Sequence, residues 1–103
     1  MSYRLTADEV RTGLREQLAV VLSIPPGSIA PESRILVDLD AESLDLLDLY
    51  FRLEDAFHVR LASGELASAL GDGVTNEEFR ERFTVEALTR YVLERLEQLN
   101  EGE

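Results

Sequence analysis

The sequence predicts an all-α fold, a small helical bundle of three main helices plus one or two short helices, with a long ordered loop between the first two main helices. Apolar residues recur at helical spacing in three separate stretches, whereas strict alternation is sustained nowhere. No Asn-Gly or Asp-Gly pair sits between alternating apolar runs, so no hairpin is indicated. At 103 residues the chain has room for one core and no second domain, so residues 1–103 are read as a single domain with its core at about 5–99.

Thr6 followed by Glu9 reads as a capping box, and Val10, Leu14, Leu18, Val21 and Leu22 then share one helical face, giving a first helix over about 7–23. Pro25, Pro26 and Gly27 end it, because proline cannot continue the ladder and restricts the residue before it. Residues 24–42 have no sustained period. The spaced aliphatics Ile24, Ile29, Ile35, Leu36 and Leu39 nevertheless pin this loop to the core, and a loop so long in a small domain is usually functional or disordered. A second helix runs from Ser43 to about Phe57. Residues 62–70 are a weak helical candidate, and the Gly71, Asp72, Gly73 run is a turn. Thr75 with Glu78 forms another capping box, with Phe79 and Phe83 one turn apart in a short helix. Thr84 caps the last helix, in which Leu88, Val92, Leu96 and Leu99 form a stripe.

The 21 acidic and 10 basic side chains give a formal net charge of -11. That excess argues against nucleic acid, where affinity comes from neutralising phosphates, and against insertion into or adhesion to anionic membranes. It favours a monomer that repels its own kind and is steered toward basic patches on partners. With 45% hydrophobic residues the chain is nonetheless expected to fold. Without cysteine there is no disulfide, thiolate metal site or thiol nucleophile, and one histidine cannot build a His-rich metal site. The N-terminal run lacks the apolar core of a signal peptide, and no apolar run is long enough to span a bilayer, so a cytoplasmic location is expected.

The second helix carries two apolar arcs. Advancing about 100° per residue places Leu46, Leu49, Tyr50, Leu53, Ala56 and Phe57 on a core-facing arc. Leu44, Leu47 and Phe51 fall on another, with Asp48 and Asp55 directly beside it and Asp45 and Arg52 a little further round. This second stripe either packs under the long loop or forms a docking face that is apolar at the centre and charged at the rim. Periodicity alone leaves both readings open.

The run from Asp38 through Leu39, Asp40, Ala41, Glu42, Ser43 and Leu44, continuing DLLDLYFRLEDAF to Phe57, resembles the attachment region of acyl carrier proteins. The order of helix, long loop with Pro and Gly, serine at the second helix, short helix and final helix also matches. The resemblance implies that Ser43 is esterified by 4′-phosphopantetheine, donated from coenzyme A by a Mg²⁺-dependent phosphopantetheinyl transferase. It implies a carrier that catalyses nothing, and that presents thioester-bound acyl groups to acyl-transferring, condensing and modifying enzymes of fatty-acid, polyketide or related lipid biosynthesis. Asp38, Asp40, Glu42, Asp45, Asp48, Glu54 and Asp55 would then form the acidic recognition surface, with Leu44, Leu47 and Phe51 as its apolar contacts.

The chemistry of the residues agrees. A carrier that lacks cysteine needs a borrowed thiol, and a helix N-terminus favours the anionic phosphate that would attach one. The only histidine, His58, lies beyond the far end of the same helix, so Ser43 has no candidate base of its own and a small serine hydrolase is a poor reading. No role falls to His58. Asp38, Asp40 and Glu42 echo a calcium loop, but Ser43 and Leu49 stand where glycine and glutamate would be required. The sequence departs from the family's Gly-x-Asp-Ser-Leu in having Asp40 for the glycine and Glu42 for the aspartate, and Arg52 is unusual in a helix that is seldom basic; it can pair with Asp48 or Asp55. The segment between Phe57 and Phe83 is longer than in a minimal carrier, with an insertion around residues 66–74. A docking module with unmodified Ser43, and an aryl or peptidyl carrier, are the alternative readings.

Overall fold

The computed structural model describes residues 5–61 and 75–101, the last three of these by backbone alone. Four α-helices account for most of them, and no strand is found among the described residues. The first, α1, spans Ala7–Leu22. Its N-terminus is closed by the predicted capping box: Thr6 Oγ1 accepts the Glu9 N–H at 3.1 Å, and the Glu9 carboxylate accepts the Thr6 N–H at 3.0 Å. Ser23, expected as the last helical residue, instead leaves the helix with φ 57, and the following N–H of Ile24 reaches back to the Ala19 carbonyl at 3.1 Å. This left-handed cap satisfies carbonyls that Pro25 and Pro26, without N–H groups, cannot.

A single 3₁₀ turn, Pro26–Ser28, interrupts the long loop. The second helix, α2, spans Ser43–Phe57, ends on His58 at φ 54, and has the predicted boundaries. The third, α3, spans Asn76–Arg82, capped by Thr75, whose Oγ1 accepts the Glu78 N–H at 3.1 Å. Phe79 and Phe83 stack with ring centroids 5.1 Å apart, which ties this short helix to the core. The last, α4, spans Val85–Glu101, with Thr84 Oγ1 accepting the Ala87 N–H at 3.1 Å. The weak helical candidate at 62–70, the turn at 71–73 and the insertion at 66–74 lie outside the described residues.

Val10, Leu14 and Leu18 of α1 are fully enclosed and face both α2 and α4. Leu49, Leu53 and Phe57 meet them from α2, and Phe83, Val85, Leu88 and Val92 from the C-terminal part of the chain. Each such side chain contributes about 1.5–3 kcal/mol on burial, so this contiguous cluster holds the helices together. Leu96 packs at the cluster's edge, and the side chain of Leu99 is not described. Ala56, read from the wheel as part of the core arc, is exposed: it sits at the edge of that arc, where the neighbouring helices no longer cover α2. Gly13 permits the close approach of α1 and α2, because a Cβ there would lie 2.8 Å from Cζ of Phe57. At the α1–α4 contact Arg11 grips both oxygens of Glu86 through Nε and Nη2, each at 3.1 Å.

The loop is ordered, as its spaced aliphatics predict, through Ile29 and Ile35, which are buried. It is also hydrogen-bonded in a way the sequence does not reveal. Arg34 and Thr84 form an isolated antiparallel bridge, in which the Ile35 N–H donates to Phe83 O at 2.9 Å and the Val85 N–H donates to Ser33 O at 3.0 Å. No helix among the described residues is long and apolar enough to cross a membrane.

Candidate functional site

The start of α2 is positioned by a relay of backbone contacts that begins at α4. The bridge fixes Ile35, whose carbonyl accepts the Ala41 N–H at 3.1 Å, and buried Ala41 directly precedes the α2 cap. Between them the chain turns back on itself: the Asp38 and Leu39 N–H groups both donate to Arg34 O, at 2.8 and 3.2 Å. Asp40 completes the reversal with φ 55, the left-handed conformation. Asp tolerates that region better than most side chains, but glycine enters it free of strain. The departure from glycine noted at this position is therefore accommodated at a conformational cost.

Glu42 is the N-cap of α2 and Ser43 its first helical residue. The Glu42 N–H donates to the Asp45 carboxylate at 2.9 Å, and its carbonyl accepts the Leu46 N–H at 3.0 Å. Glu42 and Asp45 thus close the helix end, and the Ser43 hydroxyl is not consumed in capping. Ser43 is exposed, and its hydroxyl has no hydrogen-bond partner among the described residues. His58 lies at the opposite end of the helix, about 20 Å away at 1.5 Å per residue.

The second apolar stripe does not pack under the loop. Leu44, Leu47 and Phe51 are 76%, 53% and 63% exposed, so α2 presents large apolar side chains to solvent. Asp48 and Asp55 border them on the exposed side of the helix, and Asp45 is half-buried near its start. Arg52 pairs with Asp48, Nε to Oδ1, at 3.1 Å. Two of the remaining acids have structural work. Glu54 is half-buried and accepts the Leu61 N–H at 2.9 Å, holding the chain as it leaves α2. Asp38 accepts the Arg34 N–H at 2.8 Å and the Arg34 guanidinium through Nε and Nη2. These donors hold its carboxyl below the usual carboxylate range, led by the side-chain hydrogen bonds from Arg34.

Two residues near the site escaped the sequence reading. Arg34 joins the loop to α3 by also donating from Nη1 to both oxygens of Glu81, at 2.9 and 2.8 Å. Its spacing to Asp38 is visible in the sequence, but its contact with Glu81 spans the fold. Val37 is a large apolar side chain left exposed on the same loop, and with no period there, nothing distinguishes it from its buried neighbours.

A family model described as a phosphopantetheine attachment site matches residues 12–71, which include the loop and all of α2. An acyl carrier protein of Acidothermus cellulolyticus is 33% identical over 72 residues, 68% of this chain and 86% of that protein. The meromycolate extension acyl carrier protein of Mycobacterium leprae is 33% identical over 73 residues, 69% of this chain but only 64% of that longer relative. An acyl carrier protein of Campylobacter fetus is 40% identical over 58 residues, covering 56% of this chain and 70% of that protein. With a family model spanning more than half its length and relatives of this similarity, the chain belongs to the acyl carrier proteins, non-catalytic carriers with covalently attached 4′-phosphopantetheine that work with biosynthetic enzymes.

Proposed function

We propose that Ser43 is the residue that carries 4′-phosphopantetheine, and that the outer face of α2 docks the enzymes that load and process the acyl chain. The observation that carries this reading is the exposed, unpartnered Ser43 hydroxyl at the first position of α2, with capping left to Glu42 and Asp45. The hydroxyl oxygen attacks the phosphorus of coenzyme A that bears the pantetheine arm; a serine–phosphate bond forms, the bond to the adenosine bisphosphate breaks, and that nucleotide leaves. The hydroxyl proton goes to a base on the transferase, since the only histidine of the chain, His58, stands at the far end of α2. The free N–H groups and dipole of the α2 N-terminus favour the resulting phosphodiester. Once attached, the arm supplies the thiol that this chain lacks.

Leu44, Leu47 and Phe51, with the carboxylates of Asp45, Asp48 and Asp55, offer partners an apolar centre and an acidic rim. Asp40 and Glu42 add charge close to the serine, whereas Asp38 and Glu54 contribute chiefly by holding the flanking turns. Relatives named for meromycolate extension favour a lipid chain over an aryl or peptidyl cargo, within fatty-acid, polyketide or related lipid biosynthesis.

Incubation of the purified chain with coenzyme A, Mg²⁺ and a broad-specificity phosphopantetheinyl transferase, followed by intact mass, tests the assignment. Wild type gains one phosphopantetheine and Ser43→Ala gains none. An unmodified wild type leaves the docking module without an arm as the better reading, and equal modification of both moves the attachment to another residue.

A further inference from the structure

Arg52 is the one basic residue within α2, and its position on the helix matters more than its charge alone. On the wheel Asp48 lies between the exposed apolar stripe and Arg52, and the guanidinium turns back toward the stripe to meet it. The contact uses a single edge: Nε donates to Asp48 Oδ1 at 3.1 Å, while the two terminal nitrogens have no hydrogen-bond partner among the described residues. Arg34, by contrast, engages all three of its nitrogens on Asp38 and Glu81. An acid four residues before a base is the favoured orientation on a helix, so the pair is supported by its own backbone. Asp45 and Asp55 have no ion-pair partner among the described residues.

We propose that Arg52 is a specificity-determining residue of the docking face, resting on the docking reading above. By lying across Asp48 it neutralises the middle of the acidic row and leaves Asp45, which still accepts the Glu42 N–H, and Asp55 as the carboxylates without an ion-pair partner among the described residues. The face then fits a partner enzyme with an apolar hollow for Leu47 and Phe51 and two basic positions about 15 Å apart, at 1.5 Å per residue, one opposite Asp45 and one opposite Asp55. A partner with a third cation between them must displace Arg52 from Asp48 or bring like charges together, and it is disfavoured for that reason. Charge complementarity thus selects among basic partners instead of admitting all of them.

A phosphopantetheinyl transferase of broad specificity, with a continuous basic docking face, serves as the probe. Its kcat/KM and equilibrium binding are measured at low salt for wild type, Arg52→Ala, Asp48→Asn and the double variant, with Arg60→Ala as a control for net charge. Arg52→Ala is expected to raise both about two- to fourfold, chiefly through KM, and Asp48→Asn, which leaves Arg52 as an unpaired cation facing the partner, to lower both. Arg60→Ala is expected to match wild type. Equal behaviour of Arg52→Ala and wild type overturns the proposal, as does an equal gain in Arg60→Ala, which would make Arg52 only one more distant charge. Absence of modification in every variant refutes the carrier assignment of Ser43, whereas the binding cycle still decides the role of Arg52.

Discussion

Asp40 holds a left-handed backbone three residues before the serine, at the position where the family pattern has glycine. The residue type was legible in the sequence; the reason for glycine was not, because only the return of the chain from Ile35 O to Ala41 imposes the positive φ. Asp40→Gly is therefore expected to stabilise the fold by about 0.5–1 kcal/mol, and Asp40→Ala to destabilise it. Urea unfolding checks this: the midpoints move in opposite directions with unchanged slopes. At the same scale, labour is divided at the helix start: Glu42 caps, and the Ser43 hydroxyl has no hydrogen-bond partner among the described residues.

The second helix shows how a period can be read correctly and still leave the decisive question open. Its two arcs follow from sequence, and Leu49, Leu53 and Phe57 are buried as that reading requires. Exposure of the other arc depends on where the loop runs, which no local pattern encodes. The α1–α2 contact gives an element-scale prediction. Gly13→Ala gains about 1 kcal/mol of helix propensity, but its Cβ meets Phe57 Cζ at 2.8 Å, and overpacking costs about 1–3 kcal/mol. The net effect expected is a loss of about 1 kcal/mol, turning into a gain when Phe57 is replaced by Leu, as a double-mutant cycle in urea measures.

For the molecule as a whole, the Asp38–Arg34–Glu81 network and the backbone bridge join the loop before Ser43 to α3 and α4. The folded state lowers the Asp38 pKa, so the unfolded chain takes up its proton first as pH falls. Stability from this group is present above the ordinary carboxylate range and is lost as pH drops through the depressed folded-state value. Asp38→Asn is accordingly expected to melt below wild type at pH 7, with the gap closing in acid, as thermal melts across pH 7 to 2 would record. At the alkaline end, burial pushes the Tyr50 phenol from 10.0 to about 12, with Tyr91 adding to the shift. The neutral phenol therefore supports the fold below pH 10, and this support fades as pH rises toward 12.

The sequence by itself determined the helices whose caps and apolar periods it carries, the boundaries of α2, the acidic charge and the serine at the start of that helix. These are local properties, written in spacing and side-chain chemistry. Tertiary structure alone decided that Leu44, Leu47 and Phe51 face solvent, that Arg34 spans to Glu81, and that Asp40 turns left-handed. Each depends on where a distant segment passes, and a periodic pattern constrains the face of a helix without specifying what covers it.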